Sequence, residues 1–215
     1  RCLRLDLPLR KQANRFLGLL FIVGSLFWIA WRFVQHRGIL PRLALSPRKT
    51  FGLMGFVVLV QTGVVSAMFR IAEFTAAQNV SAPLNDAMLW SFAIPFATGS
   101  LLIALVADRP TALVTAILNS MIAGLLAPRP MEFTIYAMIV SSVAIYGIGR
   151  YRSRQTVTIA GGLIGAASAG GAIGLIAFTQ QPFVLNTLLL AVACGLAGGI
   201  ITTAVTAVLL PICES

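Results

Sequence analysis

From Phe16 onward the chain is a succession of long apolar runs separated by short polar or basic punctuation. One membrane crossing needs about 20 mostly apolar residues. On that measure the pattern predicts seven helices, at about 16–34, 50–69, 87–106, 111–126, 133–148, 157–178 and 184–209. Each gap has its own chemistry. The first holds His36, Arg37, Arg42, Arg48 and Lys49, and the second, Arg70 to Asp86, is the most polar, with Glu73, Gln78 and Asn79. Asp108, Arg109 and Pro110 join the third and fourth runs, and Pro128, Arg129 and Pro130 join the next pair. Tyr151 to Arg154 and then Gln180, Gln181 and Pro182 mark the last two breaks. Inside the third run Pro95 removes one N–H donor, which predicts a kink or a close approach of a neighbouring helix. The expected fold is an all-α membrane protein, a bundle of seven transmembrane helices.

Composition removes the soluble alternative. Hydrophobic residues make up 58% of the chain and charged residues 10%, against about 25% charged in soluble domains. The net charge of +10 would suggest nucleic acid in a soluble protein. Here the basic residues flank apolar runs, so they point to topology and to anionic lipid, with the bilayer as partner and no nucleic acid. Cytoplasmic loops carry an excess of Lys and Arg. With the N-terminus outside, the inner loops hold Arg32, Arg37, Arg42, Arg48, Lys49, Arg109, Arg150, Arg152 and Arg154, and the outer loops only Arg70 and Arg129. This places the N-terminus outside and the C-terminus in the cytoplasm. Arg1, Arg4, Arg10, Lys11 and Arg15 oppose that orientation, and a preceding folded domain would explain why they are overridden. The chain begins at Arg1 and ends just past Pro211, as a segment of a longer protein would.

Candidate chemistry is sparse. Asp108 suits the cap of a helix that begins at Pro110, and Asp108 with Arg109 could equally dock a cytoplasmic domain. Gln61 and Asn119 fall near the middle of their runs, where polar side chains face the bundle and bond across helices or line a ligand pocket. Gly161–Gly165, Gly170–Gly174 and Gly195–Gly199 repeat at a spacing of four, a stripe that lets helix backbones approach closely. It fits packing within the bundle, a homodimer or a moving interface. Arg150, Arg152 and Arg154 serve topology or meet lipid headgroups or an acidic domain face. Glu214, just past Pro211, gains nothing from the helix dipole and hints at a polar partner. Cys2, Cys194 and Cys213 have no metal spacing. No catalytic cluster and no metal set is visible, since His36 is the only histidine and no paired carboxylates fall inside the runs.

Three stretches resemble one family: IPFATGSLLIALVADRPTALVTAILNSMIAGLL (Ile94–Leu126), the basic YRSR before an Ala-Gly-Gly helix start (Tyr151–Gly162), and LLPICES (Leu209–Ser215). They are similar to the seven-helix membrane domain of bacterial receptors with an intracellular HD hydrolase, several of which are cyclic-di-AMP phosphodiesterases. The resemblance implies a multi-pass protein of the bacterial inner membrane. It also implies an extracellular sensor domain before residue 1 and a metal-dependent phosphohydrolase after residue 215. Any divalent metal would belong to that hydrolase, and this segment is expected to hold no cofactor. The family's catalytic His and Asp residues match nothing here, while Pro211 and Glu214 fit the family's pattern at the end of the last helix. A small-molecule signal would then shift the glycine-rich helices and move Glu214 and the Arg150–Arg154 loop. Two other classes stay open: the small-molecule-binding membrane subunit of a transporter, such as a vitamin importer, and an inert anchor. The coding sequence beyond Ser215 discriminates among them.

Overall fold

A computed structural model describes residues 3–37, 46–147, 154–179 and 184–214, with side chains for 17–36, 46–147, 159–179 and 184–209. The described residues form helices and their connections, with no strand. In chain order the elements are α1 (Leu3–Arg37), α2 (Pro47–Gln78), α3 (Ala87–Ser91), α4 (Thr98–Val106), α5 (Arg109–Leu126), α6 (Pro130–Gly147), α7 (Arg154–Phe178) and α8 (Leu185–Glu214). Six of them, α1, α2, α5, α6, α7 and α8, are long and apolar enough to cross a membrane.

The expected runs at 111–126, 133–148, 157–178 and 184–209 correspond to α5 through α8 within a few residues. The remainder differs in informative ways. Helix α1 extends back to Leu3 through the basic lead-in. Helix α2 continues past Phe69 to Gln78, through half of the expected polar connection. Phe69, Ala72 and Ala76 are buried at helical spacing, so packing holds the extension despite Arg70 and Glu73. Asn79 ends it by donating from Nδ2 to the Thr75 carbonyl at 2.8 Å. Helix α8 runs through Pro211 to Glu214, where the proline was expected to stop it; membrane helices accept such prolines because neighbours re-satisfy the released carbonyl.

The largest departure is the third run. It is not one helix with a kink but two short ones, α3 and α4, separated by residues 92–97. Asp86 caps α3, accepting the Met88 N–H at 2.9 Å. The chain then tightens through three-residue bonds, from Phe92 N to Leu89 O, Ala93 N to Trp90 O and Ile94 N to Ser91 O. Pro95 disfavours the helical conformation at Ile94 and supplies no donor, so the helix ends there and restarts at Thr98.

The core is built around this break. Phe92 and Phe96 from the break, Phe69 from α2, and Phe133 and Tyr136 from α6 form one aromatic cluster, with ring centroids 5.2 to 6.4 Å apart. Helices α7 and α8 lie against each other at backbone distance. A Cβ added at Gly199 would stand 2.5 Å from the Gly165 Cα, and one at Gly195 would stand 2.7 Å from the Ala169 N. Helix α1 rests at the edge on α2 and α5, through Trp31 stacked edge-on to Phe51 at 4.9 Å and through buried Ala30 and Val34.

Gly199→Ala tests the close contact. The new methyl meets backbone, which cannot yield, so the variant should lose about 1–3 kcal/mol or more in a thermal or denaturant melt of the purified protein. Gly174→Ala, where a Cβ meets nothing within 4 Å, should be neutral or gain up to about 1 kcal/mol from helix propensity.

Candidate functional site

Non-helical backbone at membrane depth survives only where protein or a water-filled cavity satisfies it. Residues 92–97 meet this condition through side chains from several elements. Gln61 on α2 donates from Nε2 to the Pro95 carbonyl at 2.7 Å and to the Phe96 carbonyl at 3.3 Å. Tyr136 on α6 donates its hydroxyl to the Phe92 carbonyl at 3.2 Å, and Ser168 on α7 is its other hydrogen-bonding partner. Thr98, the first residue of α4, turns its hydroxyl back to the Pro95 carbonyl at 3.2 Å. Glycines admit the rest. A Cβ at Gly198 on α8 would lie 2.9 Å from the Phe92 carbonyl oxygen, and one at Gly171 on α7 would lie 3.2 Å from the Tyr136 ring. The break is therefore gripped from α2, α6, α7 and α8 at once.

Helix α5 adds Asn119, which faces the start of α4. A Cβ at Gly99 would be 2.6 Å from Asn119 Nδ2, so this glycine leaves room for the carboxamide. Asn119 is 6% exposed, and neither its Nδ2 nor its Oδ1 has a hydrogen-bond partner. Buried Ser120 and Ser141 also carry hydroxyl oxygens without one. Among the described residues no three His, Cys, Asp or Glu side chains gather as metal ligands. The groups that line the break are neutral amides, hydroxyls and carbonyls, suited to hydrogen bonding with an uncharged partner.

The expected residues divide into three sets. Gln61 and Asn119 converge on one place, the break and the turn of α4 that follows it. Asp108 occupies the N-cap of α5 with extended backbone, and its carboxylate accepts the Thr111 hydroxyl instead of a backbone N–H; Arg109 opens the helix. Gly161, Gly165, Gly195 and Gly199 stand in the α7–α8 contact, whereas Gly170 and Gly174 face open space. Arg150 and Arg152 lie outside the described residues, and Arg154 and Glu214 mark the ends of α7 and α8 with side chains outside them. Tyr136, Gly99, Gly171 and Gly198 were not singled out beforehand. The available signals were a tyrosine in the middle of an apolar run and the cluster of small residues after Pro95, Ala97 to Ser100.

Gln61→Leu keeps the volume and removes a donor shared by two buried carbonyls, of which Pro95 keeps its bond from Thr98 and Phe96 does not. It should destabilise by about 1–3 kcal/mol, the penalty of leaving such a group unmet. Tyr136→Phe, which keeps the ring in its cluster, should cost less. Melting curves of the two variants in one detergent check the order.

No curated protein and no solved structure matches the chain. A family model does, over residues 14–215, and its description is 7TM receptor with intracellular HD hydrolase. The match takes in the apolar spans of all six membrane-length helices, from Leu17 onward, and the broken segment between α2 and α5. This is a multi-pass membrane protein, consistent with the bacterial inner membrane, and it belongs to the family of seven-transmembrane receptors with an intracellular HD hydrolase.

Proposed function

We propose that the chain is the signalling domain of a receptor that anchors and regulates a cytoplasmic HD-type phosphohydrolase of the cyclic-di-AMP phosphodiesterase class. The observation that carries this reading is the family match along nearly the whole chain. In this reading α3, the break and α4 together make the seventh crossing, the N-terminus faces outside and the C-terminus faces the cytoplasm. An extracellular domain precedes the segment and the metal-dependent hydrolase follows it.

The route of the signal is α8. It touches the break through Gly198, packs on α7 through Gly195 and Gly199, and runs unbroken to Glu214. A change at the break thus reaches the cytoplasmic end through one rigid element. A ligand drives such a change only if it binds the two arrangements with different affinity. Dimerisation through the open glycine face of α7 and docking of the hydrolase against Asp108, Arg109 and the Arg150–Arg154 loop belong to the same proposal.

Two measurements test it. In the protein with its hydrolase attached, Gly165→Leu should change signal-dependent hydrolysis, because a Cβ there already lies 3.4 Å from the Leu196 carbonyl. Gly174→Leu should leave hydrolysis as it was, and identical regulation in both variants would count against the α7–α8 route. For topology, single cysteines introduced in a background with Cys2, Cys194 and Cys213 all replaced by serine are treated with a membrane-impermeant maleimide in intact cells. Val80→Cys and Arg129→Cys should react and His36→Cys should not. Reaction of only one of the first two would show that α3 and α4 enter and leave on the same side.

A further inference from the structure

Helix α1 is the least covered of the six membrane-length helices. Of its apolar window 11% is buried, against 28% or more in each of the other five. Its uncovered surface carries a hollow of about 470 Å³, lined by Leu20, Phe21, Gly24, Ser25, Trp28 and Ile29. All six belong to α1, so the hollow opens outward, away from the bundle. Gly24 makes its floor, and a Cβ there would meet nothing within 4 Å. Ser25 turns its hydroxyl back to the Phe21 carbonyl at 2.7 Å, so its polar atom is already satisfied. Phe21 and Trp28, 75% and 64% exposed, stand one turn to either side of that floor. The hollow is thus shaped for hydrocarbon.

It ends at a cation. One turn beyond Trp28, Arg32 holds its guanidinium over the indole, 5.9 Å from the ring centroid, and the contact orients the charge at the mouth of the hollow. Arg32 is exposed and forms no ion pair among the described residues. Its own stretch of chain offers none, because no acid stands between Asp6 and Glu73. Arg48 and Lys49 open α2 at the same end, where Trp31 meets Phe51, and add to the positive field. An uncharged occupant would leave that field unanswered. A second copy of this chain, seated on the same face about a two-fold axis, would bring a second Arg32 to it.

We propose that this hollow is a binding site for a phospholipid with an anionic headgroup. An acyl chain packs over Gly24 between Phe21 and Trp28, and the phosphate accepts from the Arg32 guanidinium, whose planar fork suits phosphate oxygens. The depths agree: from Arg32 to Gly24 the helix rises about 12 Å, within the about 15 Å that the chains of one leaflet span. Arg48 and Lys49 favour a net negative headgroup over a zwitterionic one. The site goes beyond the receptor reading and rests on it only for the leaflet, which the outside N-terminus makes the cytoplasmic one.

The test uses the chain with Trp31→Phe and Trp90→Phe, which leaves Trp28 as its one indole, reconstituted singly in phosphatidylcholine nanodiscs. Phosphatidylglycerol or phosphatidylcholine with brominated acyl chains is added in increasing share, and quenching of Trp28 gives their relative affinity. Phosphatidylglycerol should be favoured about fivefold, the worth of one cation near an anionic membrane surface. Arg32→Gln should bring the ratio close to one. Gly24→Leu, whose side chain fills the hollow, should do the same, and a melt establishes that each variant is folded. Arg70→Gln, which removes the same charge from the far part of α2, should leave the ratio as it was. Equal quenching by the two lipids overturns the proposal, as does a ratio that Arg32→Gln and Arg70→Gln lower alike or that Gly24→Leu leaves intact. Trp28 that neither lipid quenches once two chains share a disc overturns it in favour of a second copy. A cysteine-labelling result that places His36 outside overturns the orientation and leaves the site standing in the other leaflet.

Discussion

The bundle depends on one requirement: the carbonyls of Pro95 and Phe96 must be met by a donor where lipid offers none. Gln61 donates to both from α2, and Thr98 adds a second bond to Pro95. Much of the surrounding architecture follows from that bond. Helix α2 must present its buried face to the break. Helix α6 must bring Tyr136 to the Phe92 carbonyl, and α8 must carry glycine at position 198, because a Cβ would stand 2.9 Å from that same oxygen. The aromatic cluster of Phe69, Phe92, Phe96, Phe133 and Tyr136 packs around the break. A break of this kind is stable only as a collective arrangement, since each carbonyl left unmet costs about 1–3 kcal/mol.

Two kinds of contact hold the domain together. Around the break, large rings from three elements interlock, and such packing resists gradual deformation. Between α7 and α8 the contact is backbone on backbone through Gly165, Gly195 and Gly199. The hydroxyls of Thr202, Thr203 and Thr206 return to carbonyls of their own helix.

Hydropathy alone made the long helices legible, because six crossings declare themselves by length and apolar content. It also made Gln61 and Asn119 legible, since a carboxamide in the middle of an apolar run has few places to go except the interior. The broken segment was not legible as a break. Pro95 announced an interruption, but a kink and an unwound turn have the same local sequence, and the difference lies in partners distant along the chain. Gln61 is 34 residues from Pro95 and Tyr136 is 44 from Phe92. Spacing of four among glycines was likewise ambiguous: it identified Gly195 and Gly199, which are in contact, and Gly170 and Gly174, which face outward. The extension of α2 past Phe69 went unseen because Arg70 and Glu73 read as loop, while buried Phe69, Ala72 and Ala76 carry the helix onward.

The helices are unequal in length, and a bilayer would register the inequality. Helices α2 and α8, with 32 and 30 residues, rise about 48 and 45 Å, whereas α5 and α6, with 18 each, rise about 27 Å. The hydrocarbon core is about 30 Å thick. The long pair can match a thicker membrane by standing more upright, but the α5–α6 hairpin has no reserve and must draw the lipid inward around it. Each ångström of such mismatch costs a fraction of a kcal/mol. Thickening the membrane therefore loads α5 first, and α5 is the helix that aims Asn119 at Gly99.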